Sequence, residues 1–207
     1  MTESRKSQTL DRCPLRGRRI LVTRAADQAS ALSDALAARG AEPVVIPTIQ
    51  IVAPASYAGL DRAIADLGET DYLVLTSVNA VEFFFQRLST LGYDAASLDR
   101  VKIVAVGPKS AAALSAHGLQ ADLVPDDYRA EGIVAMLGAQ VSGKRVLYPR
   151  AALARELIPE ELTRAGAEVV APTAYTSVLP EDAPGKLGRA LADGLDLLTF
   201  TASSTVD

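Results

Sequence analysis

The sequence predicts an α/β fold built on parallel sheets, and three observations carry that reading. Short, continuously apolar runs recur along the 207 residues, among them ILV at 20–22, YLVL at 72–75 and VLY at 146–148. Segments with apolar residues at helical spacing lie between these runs, and helical crossovers make the neighbouring strands parallel. The chain also repeats itself. Unbroken apolar strands are what a sheet needs when helices cover both its faces.

Taken in order, residues 18–24 (RRILVTR) form a first strand behind a basic edge. A helix over 27–39 follows, with Ala29, Leu32, Leu36 and Ala37 on one side, Asp27 as N-cap and Gly40 at its stop. A strand over 44–46 breaks at Pro47 and completes a β-α-β unit, and residues 49–54 read as an extended connector. Helices over 57–67 and 78–91 flank a strand over 71–75; Val81, Phe84, Phe85 and Leu88 form the inner face of the second. A strand over 101–106 ends at Gly107, a helix over 109–117 ends at Gly118, and a short strand over 121–124 closes at Pro125. Next come a helix over 130–137, a strand over 145–148, and a helix over 152–164 that Pro159 should kink or split. A strand over 168–171, an extended stretch through Val178, a loop PEDAPG at 180–185, a helix over 187–191 and a strand over 196–200 complete the series.

The repeat is close to regular. Arg19, Leu21, Arg24 and Ala25 match Arg145, Leu147, Arg150 and Ala151 at an offset of 126, as do Leu36, Gly40, Ala41 and Glu42 with Leu162, Gly166, Ala167 and Glu168. Pro43 is extra, and at an offset of 125 Asp71, Leu73, Thr76 and Val81 match Asp196, Leu198, Thr201 and Val206. These are two copies of one supersecondary design. The second copy stops at Asp207, the counterpart of Glu82, where the first continues; the expectation is a fragment. Tyr175 stands where the first copy has Gln50, so the repeat itself does not require it.

Composition excludes several classes. The chain is 49% hydrophobic and 22% charged, ordinary for a globular protein. A net charge of −4 and a pI near 5.1 argue against a general nucleic-acid binder. No apolar run approaches the roughly 18 residues of a membrane span, and the N-terminus has no signal-like apolar region. Residues 1–17 read as a disordered polar tail, and the whole as cytoplasmic. A single cysteine, Cys13, rules out an internal disulfide, and a single histidine, His117, argues against a metal cluster.

Candidate ligand groups sit at strand ends, where open parallel sheets bind ligands. The turns are Thr23-Arg24, Thr76-Ser77-Val78-Asn79, Val106-Gly107-Pro108-Lys109-Ser110 and Thr201-Ala202-Ser203-Ser204. Each presents free N–H groups and hydroxyls at a helix N-terminus, which suits carboxylates or phosphates. Any one such turn is better explained by helix capping alone; the four together, at equivalent ends, favour a ligand cleft. Gly138–Arg145 (GAQVSGKR) imitates a phosphate loop, but ends in Arg145 and precedes a strand, so it is rejected. There is no G-x-G-x-x-G, so no dinucleotide site is expected. His117 beside Gly118 reads as a partner of the helix dipole, and Phe83–Phe85 as core.

These residues carry a resemblance to the uroporphyrinogen-III synthase family. The matching pieces are ILVTR at 20–24, Pro47, LTSVNAV at 75–81, VAVGPKSA at 104–111, VLYPRA at 146–151, AGAEV at 165–169, Tyr175-Thr176 and FTASSTV at 200–206. The resemblance implies two flavodoxin-like parallel-sheet domains joined by a two-stranded connector. It puts residues 18–46 and 179–207 in a first, incomplete domain, 54–170 in the second, and 47–53 and 171–178 in the connector. It implies ring closure of the linear tetrapyrrole hydroxymethylbilane, with inversion of ring D and loss of water. No cofactor, metal, nucleic acid or membrane is implied, and the expected state is a monomer. Tyr175 becomes the proton donor at the cleft, a role open to a phenol that stays protonated near neutral pH. Without the resemblance, a packing aromatic is the favoured reading of Tyr175. Substrate carboxylates fall to Thr23, Arg24, Thr76, Ser77, Asn79, Gly107, Pro108, Lys109, Ser110, Arg150, Ser203 and Ser204. An incomplete first domain predicts poor activity for this 207-residue form. The alternative is a non-catalytic two-lobed protein that binds or senses a small carboxylate.

Overall fold

The computed structural model describes residues 13–24 and 26–200. In chain order its elements begin β1 (Arg19–Val22), α1 (Ala26–Ala37), β2 (Glu42–Val45), β3 (Gln50–Val52), α2 (Ala58–Ala65), β4 (Tyr72–Leu75), α3 (Val78–Thr90), β5 (Lys102–Ala105) and α4 (Pro108–Ala116). They continue with α5 (Ala130–Leu137), β6 (Arg145–Leu147), β7 (Arg150–Ala151), α6 (Leu157–Arg164), β8 (Glu168–Val170), β9 (Thr173–Val178), α7 (Ala183–Ala192) and β10 (Leu197–Thr199). The fold is α/β with parallel strand pairs, as the alternation predicts. The chain divides into two compact units, residues 1–50 with 178–207, and residues 51–177.

In the first unit β1 lies between β10 and β2. Its small core gathers Leu21, Ile46, Ala183 and Ala190. In the second unit the strand order is β5-β4-β6-β8, and the alternation of β4 shows why its apolar run is unbroken. Leu73 and Leu75 face a cluster with Leu60, Ile64, Val81, Phe84, Leu88 and Leu114. Tyr72 and Val74 face the opposite cluster, with Ile133, Leu137, Ile158 and Leu162. Side chains alternate across a strand, so helices on both sides demand apolar residues at every position. A further small sheet, ordered β3-β9-β7, carries Tyr175.

Five local expectations change. Residues 152–156 are not helical: they follow β7, which pairs with β9, and α6 starts only at Leu157. Pro159 therefore falls in the first turn, where its missing N–H has no helical partner to lose, and no kink is needed. Residues 121–124 form no strand but a single bridge, Val104 to Leu123. The Asp122 carboxylate accepts from the Ile103 N–H at 2.7 Å, so a side chain takes a donor that a longer ladder would use. The last three residues of PEDAPG already belong to α7, with Pro184 in its first turn. Helix α1 begins at Ala26, one residue before the predicted cap Asp27.

The repeat is visible at the level of single hydrogen bonds. Gly17 and Gly143 both have φ of 70°, and Gly40 and Gly166 have φ of 88° and 92°; the Gly17 N–H donates to the Gly40 carbonyl and the Gly143 N–H to the Gly166 carbonyl, both at 2.9 Å. These left-handed positions suit glycine. The Asp71 carboxylate accepts from the Arg145 N–H and Lys144 Nζ, both at 2.9 Å. Its counterpart Asp196 accepts from the Arg19 N–H at 2.8 Å and the Arg18 guanidinium at 2.6 Å. In both copies an aspartate just before one strand holds the start of its neighbour.

Candidate functional site

The turns after β4 and β5 meet at one cavity in the second unit. It has two adjoining parts, of about 380 and 340 Å³, whose linings share Thr76, Val106 and Tyr128. On the glycine side the lining is Ser77, Val78, Gly107, Pro108, Lys109 and Ser110. Ser77 caps α3: its Oγ accepts from the Ala80 N–H at 2.9 Å. At α4, Pro108 has no N–H, and the Ala111 N–H bonds the Gly107 carbonyl at 3.0 Å, so the N–H groups of Lys109 and Ser110 have no partner within the helix. Two helix N-termini, an exposed lysine and the buried hydroxyl of Ser110 thus face one space. That combination attracts an anion.

Gly107 is extended, and its requirement is proximity. A Cβ placed there would stand 3.1 Å from Cβ and Cγ of Tyr128, so the tyrosine wall lies directly over the turn.

Tyr175 reaches the same turn from β9. Its hydroxyl is 3.0 Å from Ser77 Oγ, and its ring stacks on Phe83 with centroids 5.7 Å apart and planes 29° apart. The Tyr175 carbonyl accepts from the Ala152 N–H at 3.0 Å, which ties β9 to the strand beside it. Phe84 and Phe85 are core, as read from the sequence, whereas the half-buried Phe83 supports Tyr175.

Across the Tyr128 wall the lining is Arg129, Ala130, Tyr148, Arg155 and Ile158. The Tyr148 hydroxyl lies 3.5 Å from Thr76 Oγ1. Arg129 grips Asp127 through two bonds of 2.8 and 3.0 Å, and Arg155 donates to Glu131 at 2.9 Å. These bonds hold the carboxyls of Asp127 and Glu131 below the usual carboxylate range.

The remaining candidates fall elsewhere. Asn79 lies one residue inside α3 and does not line the cavity. Arg150 is engaged with Glu156 through both guanidinium Nη atoms, one at 2.7 Å, and reaches the Ala154 carbonyl at 3.3 Å. The Glu156 carboxyl is held low by that pairing. Thr23 is buried in the first unit, where its Oγ1 donates to the Thr199 carbonyl at 2.9 Å, and Arg24 follows it after β1. Ser203 and Ser204 lie outside the described residues. His117 is at the opposite end of α4 from the cavity, stacked on Phe85 with centroids 4.4 Å apart. Its Nε2 stands 3.5 Å from Glu82 without hydrogen-bond alignment. No cluster of metal-ligating side chains occurs among the described residues.

Tyr128, Arg129, Tyr148 and Arg155 line the cavity without having been expected among the site residues. A signal exists for two of them: in DDYRAEG at 126–132 an aromatic and an arginine immediately precede a helix.

Fold and site together define a parallel α/β protein with an anion-receptive cavity at its strand ends and a tyrosine hydroxyl beside it. The family model described as uroporphyrinogen-III synthase HemD matches residues 30–207. A uroporphyrinogen-III synthase of Synechococcus elongatus is 40% identical over 195 residues, 93% of this chain and 74% of that protein. A putative uroporphyrinogen-III synthase of Methanothermobacter thermautotrophicus is 35% identical, with 90% of this chain and 74% of that protein covered. A crystal structure of a mutant uroporphyrinogen III synthase from the extreme thermophile Thermus thermophilus has the same fold, with a TM-score of 0.66, 20% identity, and 92% and 75% of the two chains covered. The chain belongs to the uroporphyrinogen-III synthase family. Membership supports the enzyme reading over the carboxylate sensor.

Proposed function

We propose that the chain closes hydroxymethylbilane to uroporphyrinogen III, a lyase reaction that loses water, with Tyr175 as the proton donor. The observation that carries this is the hydroxyl pair Ser77 Oγ and Tyr175 Oη, 3.0 Å apart: Ser77 lines the cavity, and Tyr175 stands behind it as its hydrogen-bond partner. Ser77 Oγ already accepts the Ala80 N–H, and its own proton is free to go to the phenol oxygen. Tyr175 then keeps its proton for the substrate. As the substrate's C–O bond breaks, that proton leaves with the hydroxyl as water, and the adjacent pyrrole nitrogen supplies electrons to the carbon. Closure through a spiro intermediate inverts ring D, and the proton finally lost from the attacked ring restores the phenol. Released substrate closes by itself to the type I isomer, so most of the task is to hold one conformation.

Carboxylates of the substrate fit the unpaired N–H groups of Lys109 and Ser110 and the Lys109 ammonium. Arg150 and Glu156 act on position, fixing the loop between β7 and α6. Residues 47–53 and 171–178 serve as the connector where the chain leaves and re-enters the first unit. The reading places the reaction on a monomer in the cytoplasm. No helix of the described residues is long and apolar enough to cross a membrane.

Supplying hydroxymethylbilane and resolving the product isomers tests the proposal. The expected product is enriched in type III relative to a protein-free control. A mixture identical to that control contradicts the assignment.

A further inference from the structure

The glycine-side cavity accounts for one part of a substrate that carries several rings, and its neighbour has no role yet. The two spaces, about 380 and 340 Å³, share Thr76, Val106 and Tyr128. Each is near the lower end of the range of about 300–1,000 Å³ that holds small ligands. Tyr128 is 59% exposed, so one face of its ring and its hydroxyl stay open to a ligand. It is held against the turn by the missing side chain of Gly107. The second space offers two cations, Arg129 and Arg155, and the Tyr148 hydroxyl. Both arginines are largely exposed and already touch a carboxylate, so each has its orientation set while further donors of its fork stay available. Exposed pairs of this kind are weak, and a ligand carboxylate can share or replace the partner.

We propose that this second space is a subsite for another carboxylate-bearing pyrrole ring, with Tyr128 as the aromatic partition and Arg155 as the carboxylate donor. The inference rests on the tetrapyrrole reading given above. A pyrrole ring is flat and electron-rich, and an aromatic wall bounded by a cationic rim matches it: the ring lies along Tyr128 while its acidic arms meet Arg155 and Arg129. Two adjoining rings held on opposite sides of one wall cannot turn freely about the bridge between them. That constraint is what a closure selective for one isomer needs.

The test uses porphobilinogen, a single pyrrole with one acetate and one propionate arm, titrated into 15N-labelled protein. The expected result is saturable shifts at the amides of Tyr128, Ala130 and Tyr148 as well as at Ser77 and Lys109. Arg155→Gln and Tyr128→Ala each weaken binding on the second side by about tenfold, with unchanged unfolding midpoints because both side chains are exposed. Shifts confined to Ser77 and Lys109, no binding, or an affinity equal to the parent's in both variants would overturn the subsite. Product assays separate the two proposals. A normal type III share and normal KM in both variants would sink the subsite and leave the synthase reading standing. Arginine-dependent pyrrole binding in a protein that makes no type III product would do the reverse.

Discussion

At the scale of single residues, the site depends on Ser77 serving two partners. Its Oγ caps α3 and meets Tyr175, so one substitution removes both functions. Ser77→Ala is expected to cost about 1 kcal/mol of stability, the usual loss for an N-cap, and to lower the type III share. Tyr175→Phe keeps the ring on Phe83 and is expected to leave the urea midpoint unchanged, which separates chemistry from capping. Gly107→Ala is a third case. The new methyl would stand 3.1 Å from Cβ and Cγ of Tyr128, and Cβ moves only with its backbone, so the Tyr128 segment has to shift. Gly107→Ala is therefore expected to cost about 1 kcal/mol in urea unfolding and to raise substrate KM; an unchanged midpoint together with an unchanged KM would contradict the close approach.

At the scale of elements, most of the fold is legible because local chemistry and burial agree. The run over 72–75 is apolar at every position since both faces are covered, and the helix over 78–90 has its inner face at Val81, Phe84, Phe85 and Leu88. What sequence cannot show is which polar groups a loop brings together. Residues 152–156 are spaced like a helix, yet the Arg150 grip on Glu156 and the Ala154 carbonyl, with β7 beside β9, holds them as a loop. Reading them as helix hides Arg155 among ordinary surface charges. Tyr128 is hidden similarly, since DDYR looks like a solvated turn until Gly107 is seen beneath it. Gly132 in α5 is a stricter case: a Cβ there would lie 2.0 Å from the Asp127 carbonyl oxygen. Backbone cannot yield as a side chain can, so Gly132→Ala is expected to destabilise by about 3 kcal/mol in urea unfolding and to displace the Tyr128 loop.

At the scale of the molecule, the repeat read from residue spacing reappears as matching strand orders, β10-β1-β2 and β4-β6-β8, and as matching aspartate clamps. Its consequence is a shared response to acid. Asp71 is held below the ordinary carboxylate range, first by the Arg145 N–H and then by Lys144. Asp196 is held there by the Arg19 N–H and then by Arg18. A depressed carboxylate contributes stability that is complete above its unfolded value of about 3.9 and is lost as pH falls through the lower folded value. Denaturation curves should therefore weaken below about pH 4. The Asp71→Asn variant should be less stable at pH 7 and show a shallower decline in acid. A decline as steep as that of the parent would remove Asp71 from the acid response. The exposure of β10 differs between the copies: Leu198 is 50% exposed where its counterpart Leu73 is fully buried, a contrast that the matching sequences do not reveal.

The most direct test of the account is the isomer ratio of the product formed from hydroxymethylbilane by the Tyr175→Phe variant and by the parent protein. A fall in type III with a matching rise in spontaneous type I is the predicted result. An unchanged ratio would contradict the role of Tyr175 as proton donor.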